Sequence, residues 1–146
     1  MYQRILSTSS SQAATVARVM LGLVIFPHGA QKLLGWFGGY GFAGTMDFFT
    51  GTVGLPYWLA LLVIITEFFG SLSLIAGFAG RFWAGAMVVL MVGIVLSTHL
   101  SNGFFMNWFG SAPGEGFEYH LLAIALAVVV LVEGSGKWSV DAAWHR

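Results

Sequence analysis

The chain contains no cysteine and few charged residues. Asp, Glu, Lys and Arg make up 8% of its 146 residues, against about 25% in typical soluble domains. A domain of this size leaves a large share of its residues in water, and six basic and six acidic side chains cannot cover that surface. The composition therefore argues against a soluble globular enzyme, a disordered chain and a nucleic-acid-binding protein with a basic stripe.

The absence of cysteine also limits the chemistry. It excludes disulfide exchange, thiolate nucleophiles, iron–sulfur ligation and covalent haem attachment. The formal net charge is zero, so the sequence gives no sign of an anionic partner, and we expect no nucleic acid. Any redox reaction would need a cofactor or a partner protein.

Hydrophobic residues are abundant, at 58% of the chain, and the mean hydropathy is +0.83. Because a membrane helix needs roughly 20 mostly apolar residues, the pattern predicts four spans. The fourth, LLAIALAVVVLV with its flanks, is the weakest. We therefore predict an all-α, polytopic membrane four-helix bundle, with a short interfacial helix at TMDFF in the first long connection. The predicted ranges are 1–13 for the N-terminal tail, 14–136 for the membrane domain, about 14–37, 56–78, 82–100 and 118–135 for the spans, and 137–146 for the C-terminal tail.

The basic residues predict the orientation. Arg4, Arg81, Lys137 and Arg146 lie in the two tails and in the turn between spans 2 and 3, which four spans place on one side. The two long connections contain no Lys or Arg. The positive-inside rule then predicts cytoplasmic termini and extracytoplasmic long connections.

Several ionisable residues fall within or beside the spans, where each costs about 2.5–3.5 kcal/mol on insertion scales and calls for a partner or a role. Arg18, His28 and Lys32 share one face of span 1 at 100° per residue, and Glu67 lies midway along span 2. His99 and His120 reach about the same outer depth. The sequence thus predicts a polar funnel in the outer half of the bundle, formed by His28, Lys32, Glu67, His99, Glu118 and His120.

Structural and functional interpretations of the funnel stay open. Glu67 can form an ion pair with Arg18 or Lys32 that sets helix register, and Lys32 can instead extend to the headgroups. His99 and His120 are candidate haem or metal ligands, although three histidines without a local ligand motif are a weak signal, so no metal is expected. A quinone or proton site fits better, because His and Lys can donate to quinone carbonyls and Glu67 could relay protons.

The same residues carry a family resemblance. The matching segments include RVMLGLVIFPHGAQKLLGWF, GLPYWLALLVIITEFFGSLSLIAGFAGRFWA, HLSNGFFMNW and GFEYHLLAIALAV. From Val16 to Asp141 the chain resembles the DoxX family of small four-helix membrane proteins. The resemblance implies a bacterial inner-membrane protein with cytoplasmic termini, related to the membrane subunit of thiosulfate:quinone oxidoreductase and linked to thiol and oxidative stress. The family motif falls on His28, Lys32, Glu67, Arg81, Asn102 and Glu118, without settled catalytic roles.

Three functions remain in competition at this point. The leading hypothesis is a quinone-interacting or anchoring subunit of a redox system, with a soluble or membrane redox partner. A small-solute transporter that uses the same polar residues is the first alternative, and a homo-oligomer would suit it. A membrane scaffold without chemistry of its own is the second. In the first two, the polar funnel is the working site.

Overall fold

A computed structural model describes residues 6–144, and these residues form helices and connecting segments without a β-strand. The all-helical prediction is therefore confirmed. Arg4 and Arg146, two of the four residues behind the predicted orientation, lie outside the described residues. The helices are α1 (Gln12–Leu34), α2 (Gly41–Asp47), α3 (Tyr57–Ala76), α4 (Gly80–Asn102), α5 (Glu118–Glu133) and α6 (Val140–Trp144).

Three of these helices, α1, α3 and α4, are long and apolar enough to cross a membrane. The side chain of Ser11 accepts a hydrogen bond from the Ala14 amide and caps the start of α1, and Gly35, at φ 74°, ends it. At 16 residues, α5 is shorter than the roughly 20 residues that a span requires. Three of the four predicted spans thus correspond to helices long enough to cross a membrane, and the fourth corresponds to the shorter helix α5.

Three short π-helical segments interrupt the regular helices. Phe48–Thr52 continues α2, Thr66–Gly70 lies within α3, and Val95–His99 lies near the end of α4. A π turn inserts an extra residue into the helical ladder and shifts the faces on either side of it, and such turns are frequent at functional sites. The second segment carries Glu67 and the third carries His99.

The core lies where α1 meets α3 and α5, and where α4 meets α5. Its buried side chains include Leu21, Ile25, Leu74, Met87, Met91, Ala123, Ala127 and Val130. The α1–α3 contact depends on Gly29, because a Cβ there would lie 2.6 Å from the carbonyl oxygen of Glu67. Close backbone contact at a small residue is typical of helix pairs in membranes.

Large apolar side chains cover the outside of the bundle. More than half of the residue surface is exposed at positions on three different helices, α1, α4 and α5: Val16, Leu23, Val89, Leu96, Leu122 and Val132. A soluble protein rarely leaves so much continuous apolar surface in water. Together with the apolar long helices, this surface identifies a membrane protein.

Candidate functional site

The two ends of the bundle hold different polar groups. Arg18, Arg81 and Lys137 mark one end, which we call the basic end, near the turn between α3 and α4. His28, Lys32, His99 and His120 mark the opposite end, which we call the cavity end. Along α1 alone, Arg18 and Lys32 are separated by about 21 Å at 1.5 Å per residue. The two sets of polar residues are therefore too far apart to form one site.

Arg18 holds the basic end together. Its side chain is 1% exposed and donates only to backbone carbonyls. Nε bonds to Ser135 at 2.5 Å, Nη1 to Leu74 at 2.8 Å and Ile75 at 2.5 Å, and Nη2 to Trp138. The guanidinium thus joins the end of α3 to the segment that follows α5.

Asp141 completes this cluster from α6. Its carboxylate accepts the amides of Ala79 at 2.8 Å and Gly80 at 3.0 Å, where α4 begins, and the hydroxyl of Ser135 at 2.6 Å. A carboxylate at the start of a helix satisfies amides that have no partner within that helix. Asp141 is 2% exposed and therefore anchors the C-terminal segment against the bundle.

Glu67 forms its ion pair at the cavity end. Lys32 Nζ lies 2.6 Å from Glu67 Oε2, and the Glu67 residue is 4% exposed. The sequence predicted either Arg18 or Lys32 as the partner of Glu67. The partner is Lys32, and Arg18 instead donates to the backbone carbonyls at the basic end. Lys32 also points into the bundle rather than extending away from it, with 23% of its side chain exposed.

A partly open cavity of about 270 Å³ lies beside this ion pair. Five of the six residues of the predicted funnel border it: His28, Lys32, Glu67, His99 and His120. The other lining residues are Ile25, Met91, Ile94, Met106, Glu115 and Tyr119. We call this space the central cavity; its walls combine apolar side chains with a few polar groups, which is the usual character of a ligand site.

Glu118, the sixth residue of the predicted funnel, does not line the central cavity. Its Oε1 accepts the Met106 amide at 2.9 Å, and its own amide donates to the carbonyl of Phe104 at 2.9 Å. These bonds tie the connection between α4 and α5 to the start of α5. Glu118 therefore positions the segment that brings Met106 to the cavity wall.

His99 and His120 meet across α4 and α5, with ring centroids 4.5 Å apart and an interplanar angle of 41°. Axial haem ligands lie on opposite faces of the macrocycle with the iron between them, whereas these two rings contact each other directly. Within residues 6–144, no group of three or more His, Cys, Asp or Glu side chains is arranged to hold a metal ion.

Two buried polar atoms of α5 lack a partner in the described part of the chain: Tyr119 Oη and His120 Nδ1. Both residues border the central cavity. A buried polar atom without a hydrogen bond costs about 1–3 kcal/mol, and such atoms are rare in folded proteins. The sequence had marked His120 but not Tyr119, whose phenol reaches the cavity from the first turn of α5.

Comparisons with known proteins agree with the sequence resemblance. The chain is 29% identical to the Bacillus subtilis (strain 168) protein named putative oxidoreductase CatD over 109 aligned residues. The aligned region covers 75% of this chain and 71% of that protein. No solved structure matches. The model of the DoxX family matches residues 13–100, which is more than half of the sequence. The chain belongs to the DoxX family.

Proposed function

We propose that this protein is a quinone-interacting membrane subunit of a redox system, and that the central cavity binds the quinone headgroup. The proposal rests on one observation: the buried Tyr119 Oη and His120 Nδ1 have no partner in residues 6–144, and both belong to residues that line the cavity. A ligand with polar atoms at its rim would satisfy them. The name of the Bacillus subtilis relative supports a redox role.

The chemistry of the walls favours a quinone. A quinone ring is flat and apolar on both faces, and its carbonyl oxygens accept hydrogen bonds. Ile25, Met91 and Ile94 supply apolar contacts, while Lys32 and Tyr119 supply donors. The volume of about 270 Å³ is slightly below the roughly 300–1,000 Å³ of drug-sized ligand sites, so it suits a single-ring headgroup.

Replacing Tyr119 with phenylalanine tests this function with the least structural change. We expect quinone affinity in the detergent-purified protein to fall about 3–10-fold, the value of one hydrogen bond. Thermal stability should stay the same or rise, because the phenol has no partner in the protein. Binding can be measured by quenching of tryptophan fluorescence with a short-chain ubiquinone.

Tyr57→Phe is the matched control, since Tyr57 is 61% exposed and does not line the cavity. Glu67→Gln and His28→Ala extend the test to two further cavity residues. Unchanged quinone binding in Tyr119→Phe, Glu67→Gln and His28→Ala would refute the proposed site.

We also propose a membrane arrangement for the bundle. In this proposal α5 is the fourth span of a four-helix bundle in the bacterial inner membrane, α2 lies at the outer interface, and both termini are cytoplasmic. Contacts of α5 with α1 and α4 support it, as do the exposed apolar side chains of Leu122 and Val132. The basic end would then face the cytoplasm and the central cavity would open toward the other side.

Single-cysteine labelling tests this orientation, because the chain has no cysteine of its own. Ser111→Cys lies in the connection between α4 and α5, and Ala143→Cys lies in α6, both at exposed positions. In intact cells a membrane-impermeant maleimide should label the first variant and spare the second until the membrane is opened. The reverse pattern would invert the proposed topology, and equal labelling in intact cells would rule out α5 as a span.

A further inference from the structure

We propose that the outer end of the central cavity is a Cu(I) site formed by His99, His120 and Met106. A quinone and Cu(I) would both use His120 Nδ1, so this inference is separate from the proposed quinone site and is tested on quinone-free protein. Cu(I) prefers soft ligands such as thioethers and also accepts imidazole, and it needs fewer ligands than divalent ions. With no cysteine in the chain, methionine and histidine are its soft and borderline ligands.

His99 is prepared to bind a metal through one specific nitrogen. Its Nδ1 lies 2.7 Å from the carbonyl oxygen of Glu115. Since a carbonyl can only accept, Nδ1 carries the proton, and the lone pair of the neutral ring is on Nε2. A histidine that donates one ring N–H to a backbone carbonyl and offers the other nitrogen is the usual arrangement at metal sites.

His120 supplies the second ligand. The residue is 7% exposed, its ring is in contact with that of His99, and its Nδ1 is buried without a partner among the described residues. A metal ion bound at this nitrogen would remove the cost of that unsatisfied atom. Two imidazole nitrogens and one thioether sulfur can surround Cu(I) as three ligands, and two neighbouring rings can supply the first two of them.

Met106 brings a thioether to the same wall. It lines the cavity, and its position is fixed through the bond from its amide to Glu118 and the backbone pairing of Phe105 with Gly116. Met91 lines the cavity too, but it lies eight residues before His99 on α4, or about 12 Å deeper at 1.5 Å per residue. Met106, whose amide is bonded to Glu118 two residues before His120, is therefore the methionine that we assign to the site.

The nearby charges permit a cation. The ammonium group of Lys32 is neutralised by Glu67 at 2.6 Å. Glu115, whose carbonyl orients His99, also places a carboxylate near the cavity mouth, where it accepts the Asn107 amide at 2.7 Å. His99 is half-buried, so an ion can reach the site from outside the protein.

Anaerobic titration of the full-length, detergent-purified protein with Cu(I) tests the site. Bicinchoninate, a coloured Cu(I) chelator, serves as the competitor. We expect one Cu(I) per chain. Met106→Leu and His99→Ala should weaken binding by at least the 10–100-fold that loss of a supporting partner typically costs at metal sites. Met91→Leu, a substitution of the same type in the same cavity, should leave the affinity unchanged.

X-ray absorption at the copper edge gives a second readout that does not depend on affinity. A sulfur ligand should be present in the parent protein and in Met91→Leu, and absent in Met106→Leu. The proposal is overturned if the parent protein binds Cu(I) no better than His99→Ala, or if Met91→Leu loses as much as Met106→Leu. Quinone binding by copper-free protein is measured separately, so failure of one proposal leaves the other intact.

Discussion

Replacing Arg18 with methionine is expected to lower the free energy of unfolding by at least about 3 kcal/mol. The guanidinium is 1% exposed and bonds to four backbone carbonyls. Methionine fills similar volume but donates nothing. The Leu74 carbonyl would keep the Gly77 amide at 3.2 Å, whereas Ser135, Ile75 and Trp138 would lose the bond that Arg18 gives them. Each buried acceptor left without a partner costs about 1–3 kcal/mol.

Unfolding in detergent, followed by circular dichroism as the temperature rises, provides the measurement. Arg18→Lys should fall between the parent and Arg18→Met, because an ammonium group keeps the charge but cannot reach four separated carbonyls. Arg81→Met is the matched control. Arg81 is half-buried and donates to the carbonyls of Ser7 and Leu131, so its loss should cost less. Equal losses in Arg18→Met and Arg81→Met would contradict the structural role assigned to Arg18.

Arg18 also shows where sequence reasoning reaches its limit. Helical periodicity places Arg18, His28 and Lys32 on one face, which suggests a shared polar site. Periodicity gives an angle, however, and the separation of about 21 Å along α1 puts Arg18 at the other end. Its partners are backbone carbonyls, which every residue possesses. No side-chain pattern can reveal them.

The meeting of His99 and His120 could be predicted, because residue counting on two long helices is enough to match their depths. The structure places their rings 4.5 Å apart. Tyr119 and Met106 could not be selected in the same way. The phenol of Tyr119 reaches the cavity only through the rotation of α5 against α4, and Met106 comes from an irregular connection held by Glu118. Hydrophobic periodicity predicts neither the rotation of one helix against its neighbour nor the path of an irregular connection.

The basic end bears on the choice between a redox subunit and a transporter. A path for solutes would have to pass from the central cavity to that end. There, Arg18 and Asp141 use their polar atoms to tie α3, α4 and the C-terminal segment together, and Ser9 adds bonds to Glu133 from the N-terminal side. Opening this end would break several buried hydrogen bonds at once. A cavity whose route to the basic end is closed by these bonds therefore suits ligand binding better than transport.

Replacing Lys32 with methionine is the second substitution for which we expect a large effect. It would leave the Glu67 carboxylate, 4% exposed, without its ammonium partner at 2.6 Å. Removing one member of a buried ion pair typically costs about 3–5 kcal/mol, because the remaining charge is unpaired. Glu67→Gln should cost less, since Lys32 is 23% exposed along its side chain and can turn toward water.

The double variant Lys32→Met/Glu67→Gln separates stability from binding. With no charge left unpaired, thermal unfolding should recover most of the stability lost in Lys32→Met alone. The affinity for quinone should nevertheless be lower than in the parent protein, because the ammonium donor and the carboxylate are both missing from the cavity wall. If the double variant is as unstable as the single one, the loss in Lys32→Met comes from packing and not from an unpaired carboxylate. If it is stable and binds quinone as the parent does, the ion pair only sets the register of α1 against α3, and the headgroup site does not include it.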